Sequence, residues 1–523
     1  MTGAPAISRS GLQANPWLIA PLVAMAAFME VIDISIANVA LPHIAGALSA
    51  SQDESTWVLT SYLAMNAIVM PMSGWLANRF GRKRFFITCI SGFAATSLLC
   101  GLAPNITSLM VLRALQGAMG GGLQPMGQAI LADTFPREKL GMATALYGVA
   151  VVVAPIVGPL LGGWITDGYN WRWIFLINVP IGAVLIVLIT ALLPESAGER
   201  AGLRSRTKVD GWGVALIALG LGSLQIVFDR GQTDDWFASG AITALAVLAA
   251  VAIVLLVWRE LHHDDPVIDL RLLANGEFAA LVGLMGVLGF CLFGGTFLLP
   301  AYAQSLLGYT AMDAGMLIAP GGLALMVLMP MVGRLVNRVD PRLLLAIGLF
   351  GSALTSWWLT RLYLDAPFEV MMLARMAQMA SLGFVFIPIN TLLFRNMPPD
   401  KINNAAALIN LARNFAGSVG VALLSTALTR REQFHQSRLV EHLQSMNGAY
   451  PDYANQVAAL TGGTADSATT LANVYQSTVQ QATLLGYLDD FKLLALIFLA
   501  SVLLLLLVKP GKADGARASG GLH

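Results

Sequence analysis

PMSGWLANR, residues 71–79, returns as PMVGRLVNR at residues 330–338. Pro71 matches Pro330, Gly74 matches Gly333, Asn78 matches Asn337 and Arg79 matches Arg338, all at the offset 330 − 71 = 259. A second pair lies further along: Arg113-x-x-Gln116 recurs as Arg375-x-x-Gln378, at 375 − 113 = 262. Two matches at nearly one offset indicate a chain built from two related halves. Six spanning helices with short loops take about 200 residues, so an offset near 260 leaves room for two more helices between the halves. The expectation is an all-α membrane protein of two six-helix bundles plus an inserted pair.

Composition agrees with that reading. Of 523 residues, 56% are apolar and 12% charged, against about a quarter charged in a soluble domain. At roughly 20 apolar residues per span, about fourteen spans fill the apolar share. The apolar runs fall near 16–41, 55–77, 85–103, 107–130, 140–165, 173–193, 211–228, 239–258, 278–300, 314–335, 342–361, 370–393, 405–428 and 487–508. The first is too long for the core of a secretion signal and is read as a span. The domain plan is then a short N-terminus (1–16), a first bundle (17–193), a linker holding the inserted pair (194–277), a second bundle (278–508) with a long polar loop at 429–486, and a tail (509–523).

Basic residues orient the chain, because loops rich in Lys and Arg stay cytoplasmic. Arg79, Arg82, Lys83, Arg84, Arg200, Arg204, Arg206, Lys208, Arg334, Arg338 and Arg342 all fall on one side of this plan. The short loops of the other side hold Arg172, Arg230 and Arg361, and the long polar loop holds Arg430, Arg431 and Arg438. Both termini are therefore expected in the cytoplasm. A net charge of +1 offers no basic face for nucleic acid. Cys89, Cys100 and Cys291 form no CxxC pair, and His435 and His442 lack a third ligand, so no metal or other cofactor is expected. No GxSxG, HExxH, GxxxxGK[ST] or GxGxxG string occurs, which argues against an enzyme.

A charge at the bilayer centre costs about 2.5–3.5 kcal/mol on insertion scales, so those present usually face a partner or a watery cavity. Glu30 and Asp33 share one face of the first run, and Arg113 lies in the fourth. At about 1.5 Å per residue, Asp33 and Arg113 reach nearly one depth. Burial favours the protonated acid and the arginine favours the ionised one, which makes a proton switch. One proton entering down 100 mV supplies about 2.3 kcal/mol, and each pH unit adds about 1.4 kcal/mol. The alternative is an ion pair that only fixes packing. In the second half, Arg375 and Arg413 have no acid in reach by sequence, only Gln116-like Gln378 and the nearby Asn410 and Asn414.

These stretches resemble the Major Facilitator Superfamily, within it the fourteen-span drug:proton antiporters of the EmrB/QacA type. GWLANRFGRKR (74–84) is similar to the family's loop signature and LMVLRALQGAMGG (109–121) to that of its fourth helix. APIVGPLLGGW (154–164) is similar to the antiporter signature, and VIDISIANVALP (31–42) and WRWIFLINVPIG (171–182) to patterns of this branch. The chain departs from the family pattern at Asn78, where an acid is usual, and at Ala145 and Ala154, where glycines are frequent.

The resemblance implies a proton-driven exporter of lipophilic or amphiphilic drugs in a bacterial inner membrane. It also implies a periplasmic adaptor protein and an outer-membrane channel as partners. Proton coupling falls to Glu30, Asp33 and Arg113. Gate and hinge duties fall to Gly74, Asn78, Arg79, Gly81, Arg82 and Lys83 in the loop, with Asn78 placed to cap a helix. Pro155, Gly158, Pro159, Gly162 and Gly163 complete that set: the prolines free carbonyls and favour a kink, and the glycines admit a neighbouring helix. Polar and aromatic residues within runs are candidate cargo contacts: Asn38, Tyr62, Asn66, Gln116, Gln124, Gln128, Arg375, Gln378, Phe384, Phe386, Asn390, Asn410, Arg413 and Asn414. Residues 430–445 read as an exposed helix ahead of a turn at Tyr450-Pro451. An uptake symporter is the competing reading.

Overall fold

The computed structural model describes residues 15–194, 210–263, 266–395, 397–398, 401–442, 449–461, 464–465 and 467–508. Arg200, Arg204, Arg206, Lys208 and the tail 509–523 lie outside the described residues. The described secondary structure is helical throughout. The first half contains α1 (Pro16–Ala47), α2 (Gln52–Phe80), α3 (Arg82–Gly101), α4 (Ile106–Gly120), α5 (Leu123–Thr134), α6 (Arg137–Gly168), the single turn α7 (Trp173–Leu176) and α8 (Asn178–Leu192). The inserted pair is α9 (Gly211–Arg230) and α10 (Gly240–His262). The second half contains α11 (Gly276–Leu307), α12 (Ala311–Leu335), α13 (Pro341–Leu359), α14 (Phe368–Arg395), α15 (Ile402–His442), α16 (Ala449–Thr461) and α17 (Ala468–Ser501).

Each apolar run is helical, and eleven of the segments are long and apolar enough to cross a membrane. The other three runs fall short for visible reasons. α2 and α17 carry polar and charged side chains along their length. The fourth run is two helices of 15 and 12 residues, not one. The break falls at Gly121-Gly122, where glycine weakens the helix and Pro125 offers no N–H to the carbonyl of Gly121.

Two features of the second half differ from the expectation. Tyr450-Pro451 lies inside α16 and is not a turn, since proline is tolerated in the first turn of a helix. The helix expected over 430–445 is present but is not a separate element: α15 runs unbroken from the membrane segment to His442, 41 residues in all. At about 1.5 Å per residue that is about 60 Å, twice the hydrocarbon thickness. α17 begins at Ala468, well before the apolar run at 487, and packs along α15. The two helices thus project together beyond the bundle. His435 Nε2 meets Asp489 Oδ2 at 2.8 Å, and Thr483 Oγ1 donates to Glu432 at 2.6 Å, which ties them.

The halves meet along two seams, α6 against α12 and α2 against α15. The inserted pair lies over the second seam. Gln225 Nε2 of α9 donates to Ser418 Oγ of α15 at 2.9 Å, while Arg230 Nη1 donates to Thr56 Oγ1 of α2 at 2.6 Å. Phe228 stacks edge-on against Phe415 at 5.7 Å. α10 packs mainly on α9 and leaves most of its apolar surface uncovered, as suits a helix facing lipid.

Candidate functional site

Asp33 sits in the middle of α1 and Arg113 in α4, and both are fully enclosed. Arg113 Nη1 donates to Asp33 Oδ2 at 2.5 Å. The other carboxylate oxygen accepts from Gln116 Nε2 at 3.0 Å and from Asn178 Nδ2 at 2.7 Å. Gln116 Oε1 accepts in turn from Arg113 Nη1 at 2.9 Å, because residues three apart share a helix face. Arg113 Nε donates to the Val58 carbonyl at 3.2 Å. Its plane lies over Tyr62 at 4.3 Å and Phe175 at 5.4 Å from the ring centroids, a favourable setting for a cation. Three helices, α1, α4 and α8, therefore meet at the carboxylate, and α2 and α7 enclose its arginine.

Asn178 and Ser97 were not among the expected site residues. Asn178 also donates to Ser97 Oγ at 3.1 Å, and Ser97 donates to the Phe175 carbonyl at 2.9 Å. The signal for Asn178 was its isolation as a polar residue in WIFLINVPIG. Ser97 carried none, since serines are common in membrane helices.

A second polar group lies between the halves. Gln124 and Gln128, one turn apart on α5, accept from Arg413 Nη2 and from Asn410 Nδ2 of α15, the latter at 2.6 Å. Glu30 Oε1 accepts from Asn66 Nδ2 at 3.0 Å, and Glu30 interacts electrostatically with Arg413. Asn414 Nδ2 faces Met70 Sδ at 3.7 Å. Glu30 Oε2, Arg413 Nη1, Gln128 Nε2 and Asn410 Oδ1 are buried with no hydrogen-bond partner among the described residues. Unfilled hydrogen-bonding capacity at an interface between bundles is what a cargo site requires.

The remaining candidates scatter. Phe386 is buried against Gly148 of the first half, whereas Phe384 is half-buried. Asn390 Nδ2 satisfies the Phe386 carbonyl of its own helix at 2.8 Å. Asn38 is exposed and belongs to neither polar group. Arg375 and Gln378 form a separate buried pair at 2.6 Å within the second half.

The repeated motif serves the seams at the end of the molecule that carries Arg79–Arg84, and each copy reaches into the opposite half. Asn78 Oδ1 accepts from Asn403 Nδ2 of α15 at 2.6 Å, and Asn337 Nδ2 donates to the Glu138 carbonyl of α6 at 2.5 Å. Asn78 therefore bridges bundles and does not cap α3. That position is held by Gly81, which makes no side-chain cap and has φ 91°, a conformation that favours glycine. A Cβ on Gly333 would lie 2.7 Å from the Gly141 carbonyl, and one on Gly74 would meet Asn404. Arg82 pairs with Asp133 at 2.8 Å, Lys83 Nζ donates to the Thr190 carbonyl at 2.8 Å, and Arg79 lies over Trp75 at 5.8 Å.

In α6, the helix runs unbroken from Arg137 to Gly168 with Pro155 and Pro159 inside it. The Pro155 carbonyl accepts from Ser35 Oγ of α1 at 3.2 Å. Gly158 and Gly162 lie against α1 at Ser35 and Ile36, but a Cβ on Gly163 would meet nothing within 4 Å. Only two of the three glycines admit a neighbour, because the third points away from α1. Among the described residues no cluster of His, Cys, Asp and Glu could hold a metal ion.

Comparison with known proteins agrees with this architecture. The family model described as Major Facilitator Superfamily matches residues 23–421. The chain is 37% identical over 491 residues to the multidrug export protein EmrB of Haemophilus influenzae, covering 93% of this chain and 94% of that one. It is 37% identical over 502 residues to the fatty acid resistance protein FarB of Neisseria gonorrhoeae, covering 95% and 96%. Among solved structures, the proton:xylose symporter XylE bound to 6-bromo-6-deoxy-D-glucose superposes with a TM-score of 0.60 at 14% identity, covering 95% of this chain and 97% of that one. That likeness concerns the fold alone.

Proposed function

The chain belongs to the Major Facilitator Superfamily, and from that premise we propose that it exports lipophilic or amphiphilic compounds in exchange for protons. The observation that carries the proton half is Asp33, a carboxylate in the membrane interior whose partners Arg113, Gln116 and Asn178 all donate to it. Adding a proton gives that oxygen a donor where only donors surround it, so one contact must open. Protonation and an altered packing of α1 against α4 and α8 are thereby linked.

The cargo half rests on the seam. Gln124 and Gln128 join Arg413 and Asn410 across the halves through hydrogen bonds that rocking must break, with Glu30 beside them. A compound entering there would take up the unfilled donors and acceptors. The contacts of Gly74, Asn78, Gly141 and Gly333 draw the halves together at the end carrying Arg79–Arg84, the form expected for access from the other side. Export, not uptake, is favoured by the 37% identity to proteins named for drug export and fatty acid resistance. On this reading the protein lies in a bacterial inner membrane with both termini in the cytoplasm, divided as 17–193, 194–277 and 278–508. The projecting α15–α17 pair would then meet a periplasmic adaptor leading to an outer-membrane channel.

The test is transport in vesicles holding the purified protein, with an imposed pH gradient of known sign and a fluorescent lipophilic drug. Exchange predicts drug movement against the proton flow. Movement of both in one direction would establish symport and overturn the reading.

A further inference from the structure

Arg375 occupies in the second half the place that Arg113 occupies in the first. Both donate Nη1 to a glutamine three residues on, Arg113 to Gln116 at 2.9 Å and Arg375 to Gln378 at 2.6 Å. Gln378 Nε2 donates to Ser356 Oγ at 3.0 Å, and Ser356 matches Ser97 at the motif's offset, 97 + 259 = 356. The difference lies where the acid should be. Asp33 carried forward by the offset of the arginines gives 33 + 262 = 295, which is Gly295. Its neighbour Thr296 accepts from Arg375 Nη2 at 2.5 Å.

The guanidinium is thus fully enclosed and bound only to neutral groups. No carboxylate pairs with it among the described residues, and Nε has no partner. In hydrocarbon, a fixed cation without a counter-charge is costly. A Cβ on Gly295 would sit 2.9 Å from Nη1, so bare backbone of α11 lies against the cation there. Thr296 beside it is half-buried. The Nε and Nη2 donors form the edge of a guanidinium that a carboxylate fills with two parallel bonds. One of them is free, and the other is held by the Thr296 hydroxyl, a neutral acceptor whose own proton goes to the Leu292 carbonyl at 2.6 Å and with which a carboxylate would compete.

We infer that Arg375, held in place by Gln378, binds the carboxylate of a lipophilic acid, which displaces the Thr296 hydroxyl from Nη2 and takes up the unpartnered Nε. The cargo then supplies in the second half the negative charge that Asp33 supplies in the first. The assignment rests on the export reading and narrows its substrate class.

The test is equilibrium binding to the purified full-length protein in lipid nanodiscs at neutral pH, without a gradient. The probes are a dansyl-labelled undecanoic acid and its methyl ester, which share a tail and differ in charge. The wild type should bind the acid more tightly than the ester. Arg375→Gln and Thr296→Asp, the latter carrying its own acid, should each raise the Kd of the acid about tenfold or more and leave that of the ester unchanged. Thr296→Asn, similar in size to Thr296→Asp but uncharged, should stay within about threefold of wild type for both probes. Equal weakening of the two probes, an unchanged Kd for the acid in Arg375→Gln, or displacement of the acid by millimolar chloride would each overturn the proposal. Should Arg375→Gln fail to fold, the paired Thr296 variants still decide it. Because no gradient is present, a failure of proton exchange in the vesicle assay would leave this result standing, and the reverse also holds.

Discussion

Arg113 and Arg375 are two copies of one residue in two halves of one chain, and their surroundings have diverged. Around Arg113, an acid, an amide and two aromatic rings face the cation, so its charge is matched although Nη2 has no hydrogen-bond partner among the described residues. Around Arg375, a threonine and a glutamine satisfy two nitrogens and leave the charge itself unmatched. Duplication supplies a symmetric scaffold, and with glycine where the first half has its acid, the second cation lacks the counter-charge that the first has.

Removing the acid from the first half should abolish the contrast. Asp33→Asn keeps an acceptor for Arg113 but not the titratable charge, so proton-driven transport in vesicles should fall by about a hundredfold or more. Expression and thermal stability should stay near wild type. Full coupling in this variant would reduce Asp33 to a packing residue. The next effect separates the two halves by function. Asn178→Ala removes one of two donors to Asp33 Oδ1, a bond worth about 1.5–3 kcal/mol to a charged group, and should slow coupled transport about tenfold or more. The matching change in the second half, Gln378→Ala, should leave the number of protons moved per drug unchanged. A stoichiometry altered by Gln378→Ala would merge the two sites into one.

Smaller effects fall at the seams. Asn78→Asp replaces a neutral acceptor for Asn403 by a charged one, which strengthens a hydrogen bond by about 1 kcal/mol. Cysteine labelling should then show greater access from the end opposite Arg79–Arg84, by a few-fold. Unchanged labelling would remove the bridge from the gate. The smallest effect tests whether any ion pair matters to transport. Asp210 precedes α9, and although burial opposes its ionisation, Arg259 at 2.7 Å and the Gly213 amide hold its carboxyl below the ordinary value. A lowered folded-state value means its contribution to stability is present above the unfolded value, near 4, and fades as pH falls through the folded one. Asp210→Asn should flatten that acid limb of a thermal melt and leave transport intact. A transport defect would give the inserted pair an active part.

Much of this molecule is legible as sequence, for a physical reason: in a bilayer the backbone must satisfy itself, so apolar length becomes helix almost without alternatives. The rarity of charge in such helices singled out Glu30, Asp33, Arg113, Arg375 and Arg413, all of which are buried. The repeat at 71–79 and 330–338 marked the chain as two related halves, and the structure puts both copies at the seams between them. Where side chains turn is another matter. Asn78 has the sequence position of a cap and instead crosses to Asn403, because Gly81 makes the turn unaided. Gly158 and Gly163 look alike in a signature string, yet only the first faces α1.

The helix expected over 430–445 is present, but as the continuation of a membrane helix and not as a separate segment. What the sequence did not show is that α17 begins early and packs along it, so that α15 and α17 support each other there. By itself, then, the sequence determined what must lie in the membrane and which ionic groups are too costly to be incidental, since both follow from transfer free energies that depend on composition. Which donor meets which acceptor, that Asn178 completes the cage of Asp33, and that the inserted pair rests across α2 and α15 were decided by tertiary structure alone. Such contacts join residues far apart in the chain, through rotations of helices that no local pattern encodes.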